Sequence, residues 1–518
     1  MYGRVLGVAV VGVQGHLIRV EAHVGRGLPS LTVAGLPGAG IQDARERVRP
    51  AVESAGFTWP LRRVVINLSP AGARKEGPGF DLPIAMGVLA ASAQVPGTHL
   101  SSYVFAGELS LKGELVPTPG ILAVAIAAAA AGLAGVVVPL ANAAEASLVD
   151  GLEVIGAPTL AEVVGFLRGS WRPEGIPSER TQEERVDGAA ELDFADVRGQ
   201  GMGRRALEVA AAGGHNALLI GPPGAGKTML ARRLPTILPA LTRAEALEVT
   251  RLHSVAGLLT EGRLVRDRPF RAPHHTISAA GLLGGGSGFL RPGEASLAHH
   301  GVLFLDEVSE FRRDALEGLR QPLEDGRVVV TRALGSVEFP ASFTLMAASN
   351  PCPCGFDGDP RRTCGCPPHR VQGYRQRLSG PLRDRVDIAL TVPRLTRGEL
   401  LGSTAGERSA DIRGRVEAAR ERQRARLEGT PWTCNAQMSG PYARRHAGLT
   451  DAARTSLADA VEALALSGRG FDRALKVART LADLEGAASV ERQHVSEALV
   501  FRAPSHQEPP TVIGAGVG

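Results

Sequence analysis

Aromatic residues are scarce: 14 Phe, 4 Tyr and 3 Trp amount to 4% of 518 residues. So thin a supply argues against an aromatic-rich β-sandwich, while 64 Gly among many Ala, Val and Leu suit an α/β protein. Cysteine is rarer still. Five in a chain of this length are too few for a secreted disulfide framework. The opening MYGRVLGVAVVGVQGH lacks the charged start and small-residue cleavage site of a signal peptide. Both absences predict a cytoplasmic protein. Long apolar runs are also missing, with one exception. Leu115 to Ala144 carries no charge and is long enough to suggest a membrane span. Because Pro117, Pro119, Gly132, Gly135 and Pro139 interrupt it, a buried Ala-rich helix followed by a strand at Val136 to Val138 is expected instead, with no membrane partner.

What is present is enough apolar material, 44% of the residues, for two or three separate cores. A net charge of +5 permits a polyanionic partner through counterion release, and equally describes an ordinary solvated surface. Residues 1–168 alternate β-branched runs (Val8 to Val13, Val64 to Leu68) with Ala-rich stretches, predicting a first domain. Residues 169–190 read as an exposed linker of Pro, Ser, Gly, Glu and Arg. Residues 191–395 take up the rhythm of a parallel sheet with crossover helices, with strands expected before Gly221, at Val302 to Leu305 and at Phe343 to Ala348. Arg327 to Phe339 predicts a hairpin around a turn containing Gly335. Residues 396–503 turn helical and charged, a lid, and 504–518 form a Pro- and Gly-rich tail.

The strongest chemical signal is GPPGAGKT, Gly221, Pro222, Pro223, Gly224, Ala225, Gly226, Lys227 and Thr228, between the apolar Ala217 to Ile220 and a helix-compatible MLARRL. Glycines let backbone N–H groups curl around phosphate oxygens, and the following helix adds its positive end. Lys227 is expected to reach the β and γ phosphates of ATP and Thr228 to ligate Mg2+. The similar GLPGAG at Gly35 to Gly40 is followed by Ile41 and Gln42 where Lys and Thr are needed, and is expected to be a turn. The run VLFLDE puts Asp306 and Glu307 at the end of a buried strand, where a parallel sheet presents its ligand site. Asp306 is expected to hold magnesium, directly or through water, and Glu307 to polarise the attacking water.

Together GPPGAGKT, VLFLDE, AASNPCPCG, SGPLRDRVDI and SGRGFDRALKVARTLADLEG resemble the magnesium-chelatase-like AAA+ family, in its ComM/YifB branch, over nearly the whole chain. The resemblance implies an AAA+ core with a helical lid and a homo-oligomeric ring, a hexamer. By motif it assigns Asn350 to sensor 1, Arg385 to an arginine finger offered across a subunit boundary, and Arg469 to sensor 2, with Arg473 the next choice. It also implies an ATP-driven motor on single-stranded or branched DNA, like the ComM helicases that promote branch migration in natural transformation. The alternatives are the ATPase subunit of a metal chelatase and a protein-remodelling ATPase. Against the second stands the lack of an aromatic pore loop.

LSPAGARKEGPGFDLPIA and FAGELSLKGELVPTPGILAVAIAAAAAG resemble the proteolytic domain of Lon, an α+β fold of the ribosomal S5 domain 2 type. Gly79 stands where the Ser nucleophile belongs and Leu122 where the Lys base belongs, so no Ser-Lys dyad exists and the domain is expected to be catalytically dead. Cys352, Cys354, Cys364 and Cys366, in the Cys-rich loop 350–368, have spacing that suits a closed zinc site or, alternatively, four bare thiols, with His369 a substitute ligand. Pro269 to Arg291 and the hairpin tip at Arg332 are candidate channel elements or else packed connections. The arginines of 413–428 offer either a DNA-binding face or a solvated helix.

Overall fold

The computed structural model describes residues 1–35, 38–70, 75, 79–173, 192–259, 261–286, 290–332, 335–377, 380–401 and 406–502. Most of the expected linker, the tail, much of the Lon-like 71–78 stretch and the hairpin turn at 333–334 lie outside these residues, as does the side chain of Arg332.

The first part of the chain builds a seven-stranded mixed sheet. Its strands are β1 (Tyr2–Val11), β2 (Gln14–Gly25), β3 (Ser30–Ala34), β4 (Arg63–Ser69), β5 (Tyr103–Phe105), β6 (Gly135–Pro139) and β7 (Glu153–Ala157), in the order β3-β4-β2-β1-β5-β6-β7. Helices α1 (Ala39–Ser54), α2 (Asp81–Ala91), α3 (Ile121–Ala130), α4 (Ala143–Ala146) and α5 (Leu160–Arg168) accompany it. The uncharged stretch thus resolves into the buried α3 and then β6, as its prolines and glycines demand. No helix among the described residues is long and apolar enough to cross a membrane. The GLPGAG decoy leads from β3 into α1: Gly38 caps that helix, and a Cβ on Gly35 would fall 2.1 Å from the Leu68 carbonyl oxygen.

A second sheet of five parallel strands follows: β8 (Ala217–Ile220), β9 (Phe270–Arg271), β10 (Val302–Leu305), β13 (Thr344–Ser349) and β14 (Ile388–Thr391), ordered β9-β10-β13-β8-β14. Between β10 and β13 stands the hairpin β11 (Arg327–Arg332) and β12 (Gly335–Pro340). Gly335 pairs with Arg332 and begins the second arm. Helices α6 (Gly201–Gly213), α7 (Lys227–Ile237) and α8 (Arg243–Ala256) belong to this core. A capping box between Thr242 and Glu245 starts α8, and Gly257 at φ +72° ends it.

The helical segment expected as a lid contains α9 (Ser409–Arg426), α10 (Gly440–His446), α11 (Asp451–Ala463), α12 (Gly468–Glu485) and α13 (Arg492–Val500). Along its arginine-rich α9, Arg413, Arg415, Arg422 and Arg424 are exposed, as a solvated helix expects, and they also make specific contacts. Arg413 donates to the Thr236 carbonyl, Arg415 pairs with Glu208 and Glu407, Arg420 donates to Ala211, Arg422 to the Asp483 carbonyl, and Arg426 pairs with Asp483. Only Arg424 pairs within the helix, with Glu421. Most of the cationic run is therefore spent seaming the lid to the core and to itself.

The two sheets meet along α8. Ser254 donates its hydroxyl to the buried Glu145, Gly120 N–H reaches the Ser254 carbonyl at 3.2 Å, and Arg243 pairs with Asp150 at 2.9 Å. Burial raises the Glu145 carboxyl above its ordinary pKa, and its oxygens also accept from Leu122 N–H and Asn142. Beyond the helix, the β1–β2 turn presses on the hairpin. Val13 packs with Leu252 and Phe339, and a Cβ on Gly12 would meet Val337 at 2.8 Å.

Candidate phosphate site and metal centre

Parallel register brings three strand ends level, with β10 ending two residues short of them. Ile220 of β8 faces Ser349 of β13 and Thr391 of β14, and Leu305 of β10 faces Ala347. Gly221, Asp306 and Asn350 therefore leave the sheet at one edge, the carboxyl end at which open α/β sheets bind ligands. Glycine is needed here for space and for torsion. A Cβ on Gly221 would lie 2.3 Å from the Val392 carbonyl oxygen, and Gly224 and Gly226 have φ of +78° and +93°. The resulting cleft, about 390 Å³, is lined by Pro223 to Met229, Asp306, Glu307, Ser349 and Asn350.

Inside it Lys227 donates to the carbonyls of Gly221 (2.6 Å) and Pro222 (3.1 Å) and to Asn350 Oδ1 (3.1 Å). Burial lowers its pKa, so an arriving polyanion would stabilise the charged amine. Thr228 Oγ1 donates to Asp306 Oδ2 at 2.8 Å. Two oxygens so spaced match one edge of a magnesium octahedron, ~2.9 Å for ligands at about 2.05 Å. Asp306 Oδ1 accepts the Glu307 backbone N–H at 3.0 Å. Glu307 itself is left-handed, φ +51°, and its half-exposed carboxylate faces the cleft.

Arg385, Arg469 and Arg473 do not join this cleft. Arg385 is held between its carbonyl, which accepts from Asn216, and its guanidinium, which pairs with Glu324 of the short helix Arg320–Asp325; the side chain is 8% exposed. Arg469, 67% exposed at the start of α12, lies 3.8 Å from Asp384, and Arg473 lies 3.4 Å from Asp387. The structure thus gathers the three arginines around Asp384 and Asp387, on another patch from the Gly221 to Thr228 loop.

The four cysteines converge as their spacing predicts. Cys352, Cys354 and Cys364 sulfurs lie 3.4 to 3.6 Å apart, and all four fall within 4.8 Å of one another. A tetrahedral zinc with sulfurs at about 2.3 Å has edges of ~3.8 Å, so the set fits that ion. The Phe356 backbone N–H and the Cys352 thiol draw the Cys354 pKa down to about 6, toward the thiolate that a metal requires. His369 stands outside the cluster. The loop also touches the phosphate site: a Cβ on Gly355 would lie 2.5 Å from Pro223 Cδ.

A second group, Glu248, His299 and His300, is as compact, yet its hydrogen bonds favour a clamp. Ser342 N–H donates to His299 Nδ1 (3.0 Å), which leaves the proton on Nε2, and that N–H points at Glu248 (3.1 Å). His300 adds a second contact at 3.0 Å, and the two imidazoles hold the Glu248 carboxyl far below the usual carboxylate range. The clamp ties α8 to the foot of β10. Nothing short of the fold brings these residues together, and only the HH pair before VLFLDE hinted at it. The expected channel insert opens with β9, where Arg271 makes a bidentate pair with Glu294 at 2.6 and 2.8 Å.

Comparison with known proteins yields three family matches: residues 193–400 to "Magnesium chelatase, subunit ChlI", 20–142 to "Subunit ChlI of Mg-chelatase" and 406–502 to "Magnesium chelatase, subunit ChlI C-terminal". Competence protein ComM of Haemophilus influenzae is 43% identical over 501 residues, 96% of each chain. Protein YifB of Escherichia coli is 42% identical over 497 residues, again 96% of each. Lon protease 1 of Hydrogenovibrio crunogenus is 26% identical over 147 residues, 27% of this chain and 18% of that one.

Proposed function

This chain belongs to the magnesium chelatase subunit ChlI family, among its ComM and YifB relatives, and from that premise we propose an ATP-hydrolysing ring motor that works on single-stranded or branched DNA. The observation that carries the proposal is the split between the cleft, which holds Lys227, Thr228, Asp306, Glu307 and Asn350, and the arginine patch, which lies apart from it. A cleft without its arginine is completed by a neighbour.

In this reading Lys227 leaves the loop carbonyls for the β and γ phosphates, while Asn350 turns to the γ phosphate or its water. Thr228 and Asp306 would hold magnesium, which would supply charge neutralisation on the phosphates. Glu307 orients the attacking water and takes its proton. Arg385 and Arg469 enter the next protomer's cleft, with Arg473 fixing the patch through Asp387. In a lone protomer Glu324 keeps Arg385 occupied. The N-terminal sheet is a Lon-like domain without a protease: Gly79 offers no nucleophile, and the buried Leu122 gives only its N–H, to Glu145. The name of the competence relative supports the nucleic-acid track.

ATP turnover measured with single-stranded, duplex and four-way DNA tests this. DNA should stimulate it, and raising salt from about 50 to about 200 mM should strip most of the stimulation, as counterion release requires. Stimulation by a porphyrin with partner proteins, and none by DNA, would turn the assignment to a chelatase motor.

The four cysteines are assigned to structural zinc that braces the loop between Asn350 and the arginine patch. Protein purified without chelator should carry about one zinc per chain. Cys364→Ser should lose it and, through the contact of Gly355 with Pro223, bind nucleotide more weakly. Metal analysis at background for the parent protein rejects the assignment.

A further inference from the structure

The first sheet is covered on one side along its length and on the other side only in part. One face of β1, β2 and β4, carrying Val5, Val20 and Ile66, is buried against α1 and α2. On the opposite face α3 closes over one end, where Val8 and Leu17 pack with Ile121 and Val124. The other end, nearer Tyr2, stays open.

Strand register lays this open half out as a grid. His23 stands between Tyr2 and Val65, Glu21 between Arg4 and Asn67, Arg19 between Leu6 and Ser69, and Arg63 beside Gly25. Directly opposed residues point to the same side of a sheet, so these side chains share one surface. Tyr2 is 60% exposed, and Arg4, Arg19, His23 and Arg63 are exposed with it.

The one carboxylate in the grid is already engaged. Glu21 Oε1 accepts from the Tyr2 hydroxyl and Oε2 from Asn67 Nδ2, both at 2.9 Å. Those two bonds, with the charges of Arg4 and Arg19, hold its carboxyl below the ordinary range, so it stays ionised and tethers the Tyr2 ring across β1 and β2. The arginines are in the opposite condition. Among the described residues Arg4, Arg19 and Arg63 make no hydrogen bond or close ion pair through their side chains, whereas those of α9 are spent on seams. Unpaired guanidinium groups around a tethered aromatic ring suit a flexible polyanion with open bases: its phosphates exchange counterions for arginine, and a base face stacks on the ring. A duplex hides its base faces, so only a single strand engages both.

We propose that this open half of the first sheet is a binding surface for single-stranded DNA, with Tyr2 stacking on a base and Arg4, Arg19 and Arg63 neutralising phosphates. The inference rests on the reading of the chain as a motor on DNA, and puts part of the strand's path on the domain that has no protease dyad.

The test is fluorescence anisotropy of a labelled oligothymidylate with the full chain in a non-hydrolysable ATP analogue, over a range of salt. The triple variant Arg4→Gln, Arg19→Gln, Arg63→Gln should bind at least about tenfold more weakly near 0.1 M salt. Its slope of log affinity against log salt should flatten by about 2, three contacts at about 0.7 each. Tyr2→Ala should weaken binding at least about fivefold with the slope unchanged, and Tyr2→Phe, which keeps the ring, should restore most of it. All three variants should melt with the parent, because the altered side chains are exposed.

A triple variant with the parent's affinity and slope overturns the proposal. So does a Tyr2→Ala protein that binds the oligothymidylate as the parent does, or one that loses blunt duplex as strongly as single strand. A parent protein that binds no DNA overturns the motor reading instead, and that result is read before any variant is compared.

Discussion

Replacing Arg385 with Ala should cut ATP turnover by about 10³ to 10⁵, the range for an arginine supplied to a transferring phosphoryl group, equivalent to about 4–7 kcal/mol of barrier. Nucleotide affinity of the separate protomer should scarcely change, because Arg385 does not line the cleft of its own chain. A purely structural role makes different demands. The side chain is nearly buried and paired with Glu324, so a structural arginine would reveal itself by a fall in thermal stability with turnover following it. Mixing separates the cases. Arg385→Ala protomers keep an intact phosphate cleft, and Lys227→Ala protomers keep an intact arginine, so two inactive preparations should regain activity when combined. Failure of the mixture to exceed either parent variant removes the cross-subunit role.

Lys227→Ala should lower turnover by at least about 10² to 10³, the cost of removing one buried donor from a charge-stabilising site. The loss has two sources in the geometry. The amine supplies positive charge to the phosphates, and it alone bridges the loop carbonyls of Gly221 and Pro222 to Asn350. Without it the loop and the end of β13 lose their shared donor, so binding of a fluorescent adenine nucleotide should weaken as well. Turnover within tenfold of the parent protein would mean that some other cation serves the phosphates.

Local chemistry was readable and long-range partnership was not. The run VLFL became β10 residue for residue, and GPPGAG fell between strand and helix with Lys227 and Thr228 opening α7, because both depend on neighbours along the chain: apolar continuity, backbone torsion, a helix start. The cysteine quartet was equally plain, since two C-x-C pairs a short loop apart can meet without help from the fold. The contacts of the α9 arginines were not legible, for the opposite reason. Their partners, Glu208, Ala211, Thr236 and Asp483, lie far away in sequence, and a composition of basic residues says nothing about which carboxylates and carbonyls will arrive beside them. Arg469 and Arg473 carried a motif, and the motif could not say that their patch stands apart from the chain's own cleft.

The joint between Gly12, Val13 and the hairpin has a practical corollary for exchanging parts between relatives. A graft that brings in a foreign ATPase core imports a hairpin shaped for another protein's turn, and a mismatch of one methyl at Val337 would pry the two sheets apart along α8. Chimeras should tolerate junctions only when the first strands and the hairpin travel together, so the unit of inheritance in this architecture is that pair and not either sheet alone.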